Sequence, residues 1–251
     1  MPFAPHSLRP HPTDAPPIIA IGCSAGGLPP LRALFEAIPE DFRAIFLIVQ
    51  HFPEGEQTHL PEILGAISRR PVRLAKDGDR PSSSEILVLP PGQLFELKMN
   101  RLVCKGEQSH GTPPASIDSL LKSLAREDAE KSIAVILSGS GSDGANGARA
   151  LNEAGGLVLV QNPETAQFSG MPQSVILAQA ADLVADPETL AREVVRLAGR
   201  AQPETPPSPI THNHKSSQAM HTLESLLKRH AGFNIADYKQ ESVNRRIERR
   251  M

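Results

Sequence analysis

From Ile18 onward the chain alternates runs that are apolar at every position with runs that are apolar on one helical face only. "IIAIG" opens at residue 18, "AIFLIVQ" fills 44–50, "IAVILS" fills 133–138 and "LVLV" fills 157–160. Uninterrupted, β-branched runs of this kind predict strands covered on both faces, as in a parallel sheet held between helix layers. The amphipathic stretches predict helices over about Pro29 to Ile38, Leu60 to Ser68, Ser116 to Asp128, Ala145 to Glu153 (stopped by Gly155 and Gly156) and Pro187 to Leu197. "EILVLPPGQLFELKMNRLVC", 85–104, holds three short strand-like runs parted by Pro-Pro-Gly and Met-Asn-Arg, which predicts an antiparallel hairpin. The expected fold class is α/β: a doubly wound, mostly parallel sheet with that hairpin, in a Rossmann-like three-layer α/β/α arrangement.

The periodicity fails at both ends. Residues 1–17 are proline-rich and polar and read as a disordered leader; 18–200 form the α/β domain. Residues 201–219 carry proline, serine and polar residues without period and read as a linker, and 220–251 return to a helical pattern as a short extension. Hydrophobic residues make up 39% and the formal net charge is -2, so no global basic field points to nucleic acid. The two cysteines, Cys23 and Cys104, form neither a disulfide framework nor a zinc-type spacing, so no metal is expected and a reducing compartment fits. With no secretion signal and no apolar run of membrane-spanning length, the expected location is the cytoplasm, without membrane insertion.

Candidate chemistry collects where the apolar runs end. "IIAIG" runs into Cys23-Ser24, "AIFLIVQ" into His51, and "IAVILSG" into "SGSDGANG" with Asp143. In open parallel sheets ligands bind outside the carboxyl ends of the strands, so these ends bring together side chains far apart in sequence. A serine, a histidine and an aspartate at one edge are the nucleophile, base and orienting acid of serine hydrolysis. Ser24 lies in a G-x-S-x-G pattern, Gly22 to Gly26, whose glycines permit a cramped strand-to-helix turn. The same glycines would suit a phosphate loop, but G-x-G-x-x-G is absent and no acidic residue closes the next strand, so hydrolase outweighs nucleotide binding. Of nine histidines only His51 directly follows a buried strand. An aspartate in a Gly/Ser loop often makes only an Asx turn or caps the next helix, here the one starting near Ala145; the alternative for Asp143 is to orient His51 beside backbone N–H groups that form an oxyanion hole. Cys23 should turn into the core if Ser24 faces the cleft. The order Ser, His, Asp differs from that of α/β-hydrolases.

The motifs "IGCSAGG", "VQHFP", "SIDSLL", "ILSGSGSDGANG" and "AQFSGMP" resemble the catalytic domain of chemotaxis receptor methylesterases of the CheB type, over about residues 18–200. The resemblance implies Ser24 as nucleophile, His51 as general base and acid, and Asp143 as the group orienting it. It implies backbone N–H donors at Ala25 and Ser140 for the oxyanion, no cofactor, and glutamate methyl esters on chemoreceptor cytoplasmic helices as substrate, with receptor glutamines as a second one. The chain departs from the family pattern in three places. Ala25 stands where threonine usually follows the nucleophile, Ser138-Gly139-Ser140-Gly141 replaces Thr-Gly-Met-Gly, and Pro114-Ala115-Ser116-Ile117-Asp118 replaces Arg-Pro-Ser-Val-Asp. Only 17 residues precede the first strand, so a phosphorylatable receiver domain is not expected, and the esterase is expected to be unregulated or regulated by a partner.

"LLKRHAGFNIADYKQESVNRRIERRM" resembles the helical start of chemotaxis receptor methyltransferases of the CheR type. The chain thus reads as the front of a methylesterase–methyltransferase fusion, with no S-adenosylmethionine binding expected. On a helix over 242–251, Arg245 with Arg249 and Arg246 with Arg250 are i,i+4 pairs on one basic face, either a solvated face or a docking surface for acidic receptor helices. The alternative from another function class is a catalytically weak receptor-binding signalling module that keeps the fold.

Overall fold

The computed structural model describes residues 15–51, 58–68, 70–107 and 115–199. The first 14 residues of the leader, the linker, the C-terminal extension and the four arginines Arg245, Arg246, Arg249 and Arg250 lie outside the described residues.

The apolar runs form the middle of a parallel sheet: β1 (Ile18–Cys23), β2 (Ile45–Gln50), β7 (Ser132–Ile136) and β8 (Leu157–Gln161). Three shorter strands, β3 (Val72–Leu74), β4 (Ile86–Val88) and β9 (Leu183–Ala185), complete seven in the order β3-β4-β2-β1-β7-β8-β9. The chain builds outward from β1 to β2 and beyond, then crosses back to lay β7 on the other side of β1. The order therefore reverses at β1, and the crevice where α/β sheets bind ligands opens there.

Strand parity divides the core in two. Ile18 and Ala20 of β1 and Ile45, Leu47 and Val49 of β2 face one layer, formed by α3 (Ser116–Glu127), α4 (Ala145–Glu153) and α5 (Gly170–Leu177). Ile19, Ile21 and Cys23 of β1 and Phe46 and Ile48 of β2 face the other, formed by α1 (Leu28–Ala37), α2 (Leu60–Gly65) and α6 (Pro187–Gly199). Each long helix buries one stripe: Ile117, Leu120, Leu121 and Leu124 of α3 recur at helical spacing, as do Leu190, Ala191, Val194 and Ala198 of α6. The three-layer α/β/α arrangement expected from the sequence is present.

The region 85–104 differs in part from its expected form. The run at Ile86–Val88 joins the parallel sheet between β3 and β2, and only the later two runs pair antiparallel, as β5 (Gln93–Lys98) and β6 (Arg101–Glu107). Three residues flanked by Pro90-Pro91-Gly92 carry no period of their own, so tertiary pairing decides their partner. The hairpin packs Phe95, Leu97 and Leu102 against α3, and Leu97 N donates to the buried Ser123 Oγ at 2.8 Å. β3, β9 and α5 had no counterpart among the predicted elements. α5 is short, begins at Gly170 and contains Pro172, so its local preference is weak and the buried Met171 and Val175 hold it in place.

Candidate active site

Cys23 and Gln50 are partners in the register of β1 and β2, and His51 N donates to Cys23 O at 3.0 Å. Ser24 and His51 therefore leave neighbouring strands at the same level, the strands about 4.8 Å apart. Asp143 follows β7, the strand on the other side of β1. The sheet thus delivers all three sequence-predicted residues to one edge.

His51 Nε2 lies 2.8 Å from Asp143 Oδ2 and 3.1 Å from Ser116 Oγ, with only 11% of the His51 side chain and 4% of the Asp143 side chain exposed. A carboxylate only accepts, so the hydrogen of this pair is on Nε2 and the neutral ring keeps its lone pair on Nδ1. Asp143 is itself fixed by backbone N–H groups. Its Oδ1 accepts from Asp118 N at 2.9 Å and Gly144 N at 2.8 Å, and its Oδ2 also accepts from Ile117 N at 2.9 Å. It therefore satisfies the amino end of α3 and not that of the helix that follows it: α4 has Gly144 at its N-cap, which gives no side-chain cap bond, so the expected cap of the helix near Ala145 is not formed, while the contact with His51 is.

Asp118, 8% exposed, returns the arrangement. Its Oδ1 accepts from Gly144 N at 3.0 Å and Gly147 N at 2.7 Å, and Lys122 Nζ lies 3.4 Å from its Oδ2. Ser116 and Asp118 entered the sequence reading only as part of a family motif. Their signal was a helix start with serine and an acid in its first turn, which says "cap" without saying whose.

The turn that carries Ser24 is held from below. Ser24 N donates to Ser138 O at 3.0 Å, Gly27 N donates to Ser24 O at 2.9 Å, and Gly139 packs so tightly that a Cβ there would stand 3.0 Å from Ser24 Cβ. Ser24 and Ala25 are half-buried and Ser140 is exposed, and the N–H groups of Ala25 and Ser140 have no acceptor among the described residues. No hydrogen bond joins Ser24 Oγ to His51 among the described residues.

The glycines decide against a phosphate loop. A Cβ on Gly26, whose φ is +67°, would meet Gln167 Cβ at 2.8 Å and Ser138 Oγ at 2.9 Å, and one on Gly22 would meet Ile117 at 2.9 Å. The room these glycines leave is filled by protein atoms. Helix α1 also begins Leu28-Pro29-Pro30, so two of its first three residues lack the N–H a phosphate would need. Cys23 turns into the core as expected: it is fully buried, and burial pushes its thiol up to about 12, far from the thiolate a nucleophile requires.

Among the described residues no group of three or more His, Cys, Asp or Glu side chains is placed to hold a metal ion, and no helix is long and apolar enough to cross a membrane. One cavity of about 590 Å³, lined by Phe35, Glu40, Phe46, Arg70 and Ile86 among others, opens at the amino ends of the strands, across the sheet from Ser24.

Comparison with known proteins places this arrangement among relatives. The CheB methylesterase family matches residues 19–194. A protein-glutamate methylesterase/protein-glutamine glutaminase 4 of Burkholderia thailandensis is 33% identical over 199 residues, 78% of this chain and 58% of the relative. Its counterpart 3 from Geobacter sulfurreducens is 32% identical over 199 residues, 77% of this chain and 53% of the relative. The chain therefore spans about half the length of the curated relatives it matches. The crystal structure of the Thermotoga maritima CheB methylesterase catalytic domain aligns with a TM-score of 0.67 at 31% identity, covering 73% of this chain and 99% of that one.

Proposed function

This chain belongs to the CheB methylesterase family, and from that premise we propose that it hydrolyses glutamate methyl esters on the cytoplasmic helices of chemoreceptors, releasing glutamate and methanol. The observation that carries the reading is the His51 to Asp143 bond at 2.8 Å, made at the same sheet edge as Ser24 by a carboxylate pinned by three backbone N–H groups.

Ser24 Oγ attacks the ester carbonyl while His51 Nδ1 takes its proton. Nδ1 is the acting atom because Nε2 is committed to Asp143, whose charge stabilises the imidazolium that forms. The oxygen of the tetrahedral intermediate turns toward the N–H groups of Ala25 and Ser140, which no other acceptor engages among the described residues. The intermediate collapses as His51 returns the proton to the methoxy oxygen, and methanol leaves an acyl-enzyme. Water activated by the same nitrogen then releases the glutamate and restores Ser24. With a glutamine side chain as substrate the leaving group is ammonia and the steps are otherwise the same.

The same reading places the protein in the cytoplasm, where such receptor helices lie. It gives Arg245, Arg246, Arg249 and Arg250 the role of a basic face for acidic receptor helices, within a segment akin to a CheR-type methyltransferase's start. The test is methanol release from a methylated receptor by the full chain and by Ser24→Ala. The expected result is loss of release in the variant to background; equal release by both proteins would refute the triad, and binding of receptor without release by either would favour a receptor-binding module.

A further inference from the structure

Ser138 is fully buried, yet its hydroxyl reaches out of its own loop. Ser138 Oγ lies 3.0 Å from Ala25 O and 3.3 Å from Phe168 O, and Phe168 N donates to it at 3.0 Å. A hydroxyl has one hydrogen to give. Ala25 O is the nearer of the two acceptors, and Phe168 O accepts from Gly139 N at 2.9 Å as well, so the hydroxyl hydrogen is assigned to Ala25 O. The rest of Ser138 is equally engaged. Its N donates to Oε1 of the buried Gln161 at 2.8 Å, and its O accepts from Ser24 N at 3.0 Å. Gln161 Nε2 is in turn tied to Thr165 O at 3.1 Å. Three loops at the sheet edge thus meet on one side chain: the nucleophile turn, the loop after β7 and the loop after β8.

Ser138 adjoins both segments that carry a free N–H of the site. Ala25 carries one, and its peptide carbonyl is held by Ser138 Oγ; Ser140 carries the other and lies two residues along the chain from Ser138. Gly26, next to Ala25, leaves the space the hydroxyl occupies, since a Cβ there would stand 2.9 Å from Ser138 Oγ. We propose that Ser138 is a positioning residue, whose hydroxyl fixes the spacing of the Ala25 and Ser140 N–H groups and so tunes the site to the tetrahedral intermediate. The inference rests on Ser24 being the nucleophile.

Removing a whole oxyanion donor costs roughly 10²–10³ in kcat, and misplacing two donors slightly costs less. Ser138→Ala is therefore expected to lower kcat for methanol release by about 10–100-fold with KM within about threefold, since the donors act on the transition state and not on the bound ester. Ser138→Thr, which keeps the hydroxyl and has the residue of the family pattern, is expected to recover at least tenfold of that loss. Wild-type kcat in Ser138→Ala, or a rise in KM at unchanged kcat, would overturn the proposal. So would a folded Ser138→Thr enzyme no faster than about 1% of the parent, which keeps the test open if Ser138→Ala does not fold. Ser24→Ala run in parallel separates the two claims: if it retains methanol release, the nucleophile assignment has failed whatever Ser138 does.

Discussion

Replacing Asp143 with asparagine changes one atom of a buried group and is expected to stop the reaction. Each carboxylate oxygen accepts two donors: Asp118 N and Gly144 N at Oδ1, Ile117 N and His51 Nε2 at Oδ2. Asparagine supplies one oxygen. Left toward the two backbone amides at Oδ1, it turns its NH2 against the Ile117 N–H and His51, where donor meets donor. The imidazole relieves its half of this conflict by moving its hydrogen from Nε2 to Nδ1, and the ring then shows Ser24 a donor in place of a base. The wrong tautomer in a serine triad costs roughly 10⁴ in kcat. The Ile117 N–H cannot adapt, and a buried donor without an acceptor costs about 1–3 kcal/mol, or a Tm lower by roughly 2–4 °C for each of those kcal/mol. Asp143→Ala imposes no tautomer, so its kcat should equal or exceed that of Asp143→Asn even though it removes more bonds. Methanol release at neutral pH, with a melting curve for each variant, decides the matter. An Asp143→Asn protein within about tenfold of the parent would refute the assignment of Nδ1 as the base.

Three further outcomes are expected. Cys23 is fully buried with its thiol pushed up to about 12, so iodoacetamide at neutral pH should label Cys104 and spare Cys23 until denaturant is added; mass spectrometry of the native protein reads this directly. Asp79 accepts from Arg73 Nη1 at 2.6 Å and Lys76 N at 2.8 Å, and the Arg73 guanidinium beside it holds its carboxyl below the ordinary range. Its stabilisation is therefore present above the unfolded carboxylate pKa and lost as pH falls through the lowered one. Asp79→Asn should cost about 1 kcal/mol at neutral pH, less in high salt, and nothing at acid pH where the parent has lost the same interaction. Gly147 lets α4 lie on α3: a Cβ there would stand 2.8 Å from Leu121 Cβ and 2.9 Å from Asp118 Cα. Gly147→Ala should thus lower kcat at least fivefold although it sits a full helix turn from the loop that carries Asp143, and unchanged kcat would show that the helix contact does not govern the site.

What the sequence made legible follows from which signals are local. The four long apolar runs announced the central strands because burial on both faces leaves no polar position to interrupt them. β3 and β9 have three residues each and draw their stability from neighbours already in place, so no window on the chain contains their signal. That Ser24, His51 and Asp143 meet at one edge was readable because the first two directly follow such a run and the third lies in the loop after another, and the topology of a parallel sheet turns "end of strand" into "same edge". Ser116, Asp118, Ser138 and Gln161 were not readable as parts of the site, for each is a polar residue whose purpose is a bond to a distant loop. Pro29 and Pro30 are a different case: their missing N–H groups argue against a phosphate site from the sequence itself, but only once the first turn of α1 is located.

The same bonds hold the fold and orient the histidine. Two buried carboxylates side by side would ordinarily cost several kcal/mol each. Here each is set where the other helix needs an acceptor. Asp143 lies before α4 and satisfies the start of α3, while Asp118 lies in α3 and satisfies the start of α4, with Gly144 N shared between them. Unpaired N–H groups and the positive end of each helix dipole thus compensate both charges. The close approach this needs comes from glycine: Ile117 occupies the space that side chains on Gly22 and Gly144 would fill. A loop as rich in glycine and serine as "SGSGSDGANG" has little to order it alone, yet its aspartate is held to the first turn of α3 by two backbone bonds. The direction of the His51 ring is consequently set by how α3 meets α4, and an exposed loop at the rim of a sheet acquires the rigidity of the core beneath it.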